Sequence, residues 1–192
     1  MYTTWDELKT ACQKCENCNL CKTRTNVVVR QGNENAEVLF IGEGPGQNED
    51  LQGKPFVGRS GNLLTDMLRE VGLERDKNFY ITNIVKCRPP ENRDPLPEEQ
   101  SQCLAWLGEQ VHLLKPKIIV CVGRISAQKL ISKDFRVTID HGKFYKRNDI
   151  VYMGTFHPAA ILRNPNNKPL AQNDFLRLRD VILKICPSTY EK

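Results

Sequence analysis

VLFIGEGPGQNEDLQGKPFVGRSG, residues 38–61, is the stretch from which the fold is read. Val38-Leu39-Phe40-Ile41 is an apolar run of the kind that forms a buried strand, and Gly42 breaks it. The loop that follows carries Glu43, Glu49 and Asp50, the glycines Gly44, Gly46, Gly53 and Gly58, and the aromatic Phe56. A helix is expected from near Ser60. In open α/β sheets the ligand site lies where strands end and loops begin, so the loop is the first candidate for function. A dinucleotide fingerprint would need a third glycine where Gln47 stands. A phosphate-binding loop would need Gly-Lys-Ser/Thr, but Pro55 follows Lys54. What remains is an acidic pocket with an aromatic floor.

Outward from this stretch, strand and helix patterns alternate. Residues 3–12 read as a short helix, with Thr3 or Thr4 as its cap and Asp6 and Glu7 near its positive end. Leu63, Leu64, Met67, Leu68 and Val71 share a helical face that Gly72 would cap. Residues 79–85 form a second strand, ended by the prolines of Lys86-Cys87-Arg88-Pro89-Pro90. A helix from about Pro97 turns Cys103, Leu107, Val111 and Leu114 inward. Residues 117–122 are a third strand, buried on both faces, and residues 150–156 a fourth. Residues 133–149 read as a loop or hairpin. A last helix uses Phe175, Leu178, Val181, Ile182 and Ile185. The alternation predicts a mostly parallel sheet covered on both faces.

With 192 residues, 40% apolar and 27% charged, one domain spanning 1–192 is expected. The net charge of +5 is compatible with a polyanionic partner without establishing one. Residues 1–8 contain no apolar leader, and no run approaches a membrane span, so a cytoplasmic location is expected. There clustered cysteines more often hold metal than form disulfides. Cys12, Cys15, Cys18 and Cys21 stand at equal spacing, unlike the bacterial ferredoxin run, which has a longer last gap followed by proline. Four thiolates suit zinc as well as an iron–sulfur cluster.

GEGPG (42–46), ED (49–50), GKPFVGRSG (53–61), NIVKCRPPENR (83–93) and TFHPAAILRNP (155–165) occur in this order. They resemble the successive motifs of the family 4, iron–sulfur uracil-DNA glycosylases. The resemblance runs from the first cysteines to the loop after His157. It implies a three-layer α/β/α fold around a four-stranded, mostly parallel sheet, preceded by a cysteine-rich amino-terminal arm. It also implies excision of uracil from single- and double-stranded DNA by a monomeric hydrolase that carries a [4Fe–4S] cluster.

Residue by residue, the resemblance places Phe56 under the flipped base and Asn83 at its Watson–Crick edge. Uracil shows O4 and N3–H there, and one amide can donate to the first and accept from the second. Gly44 lies at the base site. His157, in a His-Pro pair, would donate to the departing uracil anion, an oxyanion-hole kind of stabilisation. Glu43 and Glu49 are the carboxylates for the sugar cation and the attacking water; the sequence does not choose between them. Ser60, Ile161, Leu162 and Arg163 would contact DNA, with Ile161 or Leu162 wedging into the gap left by the base. The family's cluster ligands fall on Cys15, Cys18, Cys87 and Cys103. Cys12 and Cys21 are additional and leave the choice at the arm open. A non-turnover protein of this fold that traps uracil-DNA is the alternative. Its covalent form uses a histidine on a loop after the second strand, and residues 84–111 hold none. A simple electron carrier would leave the acidic loop, Asn83 and His157 without purpose.

Overall fold

The computed structural model describes residues 1–191. Its centre is a six-stranded sheet: β1 (Gln31–Gly32), β2 (Val38–Gly42), β3 (Tyr80–Asn83), β4 (Ile118–Val122), β5 (Phe144–Arg147) and β6 (Ile150–Thr155), in the order β1-β3-β2-β4-β6-β5. The four middle strands are parallel, and the two edges are antiparallel. The expected count of four is therefore corrected to six. The additions are a two-residue pairing of Gln31 and Gly32 with Ile81 and Tyr80, too short to leave a sequence period, and the first arm of a hairpin. The first arm and the turn of that hairpin lie within 133–149, where Asn148 takes φ 52.

Alternation along each strand sorts the core into two halves. Val38, Phe40, Ile81, Val120 and Met153 face α3 (Arg59–Arg69), α7 (Pro158–Arg163) and α8 (Lys168–Ile185). Leu39, Ile41, Tyr80, Ile119 and Cys121 face α4 (Pro97–Leu114) and α5 (Arg124–Leu130), with Trp5 of α1 (Trp5–Gln13) packed against them. The result is a mixed, mostly parallel sheet with helices on both faces. Helix α1 begins at Thr4, whose side chain accepts from the Glu7 N–H while Glu7 reaches back, a capping box. Three short helices escaped the sequence pattern: α2 (Gln47–Gln52), inside the acidic loop, α6 (Val137–Asp140), and α7, where a loop was expected after His157.

The candidate active site and its cysteine neighbour

The loops leaving the carboxyl ends of the parallel strands enclose a cleft of about 540 Å³. Glu43, Gly44, Glu49, Phe56, Ser60, Asn83, His157 and Arg163 all line it. They come from four separate segments that the parallel topology brings to one edge.

Asn83 ends β3, and its side chain is 2% exposed. Its Oδ1 is the one buried side-chain nitrogen or oxygen among the described residues without a hydrogen-bond partner. Buried polar atoms are nearly always paired, so this acceptor marks where a donor is missing. Gly42, beside it, has no room for a side chain: a Cβ there would stand 2.4 Å from the Phe56 ring and 2.5 Å from Asn83 Oδ1. The glycine lets the aromatic floor and the amide meet.

Phe56 is buried and held in the left-handed region, φ 53, a conformation costly for a bulky residue. Its neighbours fix it from both sides. Arg75 donates to the carbonyls of Pro55 (2.9 Å) and Phe56, and its Nε to Thr65 Oγ1 at 3.0 Å. Glu49 Oε1 accepts from the N–H groups of Val57 at 3.0 Å and Gly58 at 2.9 Å. Gly61 on α3 packs so closely that a Cβ would meet the Phe56 carbonyl carbon at 2.1 Å. The Phe56 and His157 rings lie 6.0 Å apart at 33°.

His157 caps α7, and its Nδ1 accepts from the Ala159 N–H at 3.1 Å. A backbone N–H can only donate, so a neutral ring carries its proton on Nε2. Burial first, and Arg163 second, pull its pKa down to about 4. The imidazole is thus neutral at physiological pH, with one N–H left to give.

The two carboxylates differ. Glu49 sits on α2, largely committed to the Phe56 loop. Among the described residues no hydrogen bond holds the Glu43 carboxylate, and burial together with nearby Asp94 pushes its pKa up to about 7, against Arg124 and Arg163. Asp50 serves structure: its carboxylate accepts from Thr25 and Asn26 N–H, tying the arm to α2. At the rim Arg124 pairs with Asp94 at 2.5 Å, and Arg93 with buried Glu99 at 2.7 Å.

Of the two expected wedge residues, Ile161 is corrected. It is 3% exposed and packs in the core with α3 and α8, because it faces inward on the six-residue α7. Leu162 faces outward, 37% exposed. Arg75, Asp94 and Arg124 were not anticipated. Arg75 lies 19 residues from Phe56 in sequence, and no short-range pattern signals such a clamp.

A second cavity lies behind the cleft, lined by Cys12, Cys15, Cys18, Cys21, Cys87 and Cys103. No disulfide joins any of the eight cysteines among the described residues, and Cys121 and Cys186 lie elsewhere, buried. Trp106 Nε1 donates to Cys15 Sγ at 3.1 Å, Arg24 Nη1 to Cys87 Sγ at 3.3 Å, and the Lys86 N–H to Cys103 Sγ at 3.3 Å. N–H donors aimed at sulfur, with the Arg24 and Lys86 cations beside it, suit thiolates carrying negative charge. Without such a load, burial pushes Cys12 up to about 12 and Cys87 up to about 11. Among the described residues no three His, Cys, Asp or Glu side chains converge to hold one metal ion; the thiols ring a space.

Residues 29–178 match the model of the uracil DNA glycosylase superfamily. The chain is 44% identical to the type-4 uracil-DNA glycosylase of Sulfurisphaera tokodaii, over 96% of this chain and 87% of the relative. It is 41% identical to that of Archaeoglobus fulgidus, over 97% of both. With the Thermotoga maritima enzyme it shares 44% identity, over 81% of this chain and 82% of the relative. The chain belongs to the type-4 uracil-DNA glycosylases, DNA-repair hydrolases of N-glycosyl bonds.

Proposed function

We propose that the cleft receives a uracil flipped from DNA, and that Asn83, His157 and Glu43 divide the chemistry between them. The unpartnered Asn83 Oδ1 carries this reading. Uracil N3–H would satisfy it while Asn83 Nδ2 donates to O4. Cytosine has no N3–H to offer and turns its exocyclic amine toward Nδ2, leaving buried mismatches worth roughly 1–3 kcal/mol. Phe56 stacks under the ring.

Cleavage breaks the C1′–N1 bond, and the electron pair leaves with uracil. His157 Nε2–H, set by the Ala159 contact, donates to O2 as negative charge grows there. Glu43, its carboxylate without a hydrogen bond among the described residues and its pKa pushed up to about 7, stabilises the sugar cation and orients the water. The water oxygen bonds to C1′ and its proton passes to the carboxylate, giving an abasic site. Glu49 is assigned to hold Phe56, not the water. Ser60, Leu162 and Arg163 would engage DNA around the cleft mouth, with Leu162 as the wedge.

Cys15, Cys18, Cys87 and Cys103 would hold a [4Fe–4S] cluster, supported by the N–H donors to three of these sulfurs. When bound it joins the arm to the body and supplies no step of the hydrolysis. Cys12 and Cys21 remain as spare thiols. The whole chain acts as one domain and a monomer, on single- and double-stranded DNA, in the reducing cytoplasm. No helix among the described residues is long and apolar enough to cross a membrane.

A release assay on strands carrying uracil, cytosine or thymine tests the reading. Uracil should be freed from single strands, U·G and U·A, with thymine and cytosine resisted. Asn83→Asp should lose uracil activity and gain on cytosine. A variant that treats both bases as wild type does would remove Asn83 from the site. Binding of uracil-DNA without release would favour the trapping alternative.

A further inference from the structure

Lys86 is 1% exposed, one of the largest fully buried side chains of the protein. Long charged side chains are almost never buried without a partner, yet no carboxylate salt bridge to it exists among the described residues. Its contacts run in two directions. Its Nζ donates to the main-chain carbonyl of Asn83 at 2.6 Å and to Thr82 Oγ1 at 2.8 Å. Thr82 in turn donates to the Val29 carbonyl at 2.8 Å, and the Lys86 carbonyl accepts from the Val28 N–H at 2.8 Å. On the other side the Lys86 N–H meets Cys103 Sγ, and Lys86 lines the cysteine cavity between Val85 and Cys87. The groups of opposite charge that its ammonium can face are the thiolates of that cavity.

The same short segment is stitched to the cleft. Ile84 N–H donates to the Gly42 carbonyl at 2.9 Å and Val85 N–H to the Glu43 carbonyl at 3.1 Å. Three residues thus separate the uracil-reading amide from a cysteine of the cluster site, and Lys86 touches both ends.

We propose that Lys86 is a positioning residue for uracil recognition: its ammonium is held in place by the anionic cysteine site and fixes the Asn83 peptide, so that loading of that site sets the angle of the reading amide. This rests on Asn83 being the reader. Lys86 touches no reacting atom. Misplacing an orienting group by an ångström can cost about a hundredfold in rate, so loss of Lys86 should be felt at the chemical step. Removing a buried cation beside the thiolates should also loosen the cofactor.

The test is a double-mutant cycle on the holoenzyme with Lys86→Met and Asn83→Ala. Lys86→Met should fold with its visible cluster absorption, lower kcat for uracil release about tenfold to a hundredfold, and change KM less than threefold. It should also narrow the ratio of uracil to cytosine release, and its absorption should bleach faster under a chelator. In the Asn83→Ala background the further loss from Lys86→Met should be less than twofold. If Lys86→Met does not accumulate as folded holoenzyme, Lys86→Gln, which keeps a polar group without the charge, takes its place in the cycle. Full additivity of the two losses, or unchanged bleaching with unchanged kcat, would overturn the link. Should Asn83→Ala alone leave release unaltered, the reader assignment fails and takes this proposal with it. Should Asn83→Ala slow release while the Lys86 effect stays undiminished, only Lys86 falls.

Discussion

The cleft and the cysteine cavity are neighbours separated by the segment from Asn83 to Cys87, and they are built on opposite rules. In the cysteine cavity the protein already supplies partners: three sulfurs receive an N–H, and two cations stand close. In the cleft the decisive groups are left open. Asn83 Oδ1 has no donor, the Glu43 carboxylate has no hydrogen bond among the described residues, and His157 has spent one ring nitrogen so that the other is available. A site that holds a permanent resident is completed from within. A site that turns substrate over keeps its best groups unsatisfied, at some cost in stability, so that the transition state can complete them.

The largest expected effect falls on Glu43, the most open of these groups. Glu43→Gln should slow single-turnover release by roughly a hundredfold to ten-thousandfold, the usual range for loss of a positioned base. Glu49→Gln should instead weaken the ordering of the Phe56 loop, raising KM along with lowering kcat. Equal and purely kcat losses in both would erase the distinction between the carboxylates. Next comes His157→Ala, expected to lose roughly a hundredfold to a thousandfold, ~3–4 kcal/mol, while binding uracil-DNA nearly as well as the parent. Parallel losses in binding and rate would make His157 a DNA contact only.

The pH profile of kcat/KM should show about a tenfold rise between pH 6 and 8. In the proposed role Glu43, lifted to about 7 by burial, must be a carboxylate, so activity should be gained as pH climbs through that value. His157, depressed to about 4, stays neutral throughout, so it should add no second limb in this window. Glu43→Gln should flatten the rise; if it persists, another group titrates.

Much of this design was legible before any coordinates. The runs at 38–41 and 118–122 are so apolar that only central strands can use them, and both lie fully buried. The cleft residues stand at strand ends, which is where a parallel sheet gathers them. What the sequence withheld depends on facing and on distant partners. Glu43 and Glu49 are the same residue type six positions apart, and only their hydrogen bonds tell them apart. Arg75 serves Phe56 through a contact that no spacing rule covers. Ile161 and Leu162 are adjacent aliphatics on one turn of α7, and the packing of α7 on α3 chooses which one turns inward.

That last pair gives the smallest expected effects on catalysis. Ile161→Ala should cost about 2–4 kcal/mol of stability in denaturant melts, with single-strand activity largely kept where the protein is folded. Leu162→Ala should move stability by less than ~0.5 kcal/mol and slow release from duplex more than from single strands. The reverse pattern would restore Ile161 as the wedge. On the cysteine side, Cys87→Ser should lose the cluster absorption and weaken folding, because metal binding and folding are coupled. Cys21→Ala should keep the colour.

The central claim is that the open acceptor on Asn83 waits for uracil N3–H, and N3-methyluracil removes that one donor. Single-turnover release should be followed from matched single strands carrying uracil or its N3-methyl form, with wild type and Asn83→Ala. Wild type should free the methylated base at least about tenfold more slowly, in line with an unpaired buried polar group costing ~1–3 kcal/mol, and Asn83→Ala should nearly erase the gap. Equal release of both bases by wild type, or an undiminished gap in Asn83→Ala, would contradict it.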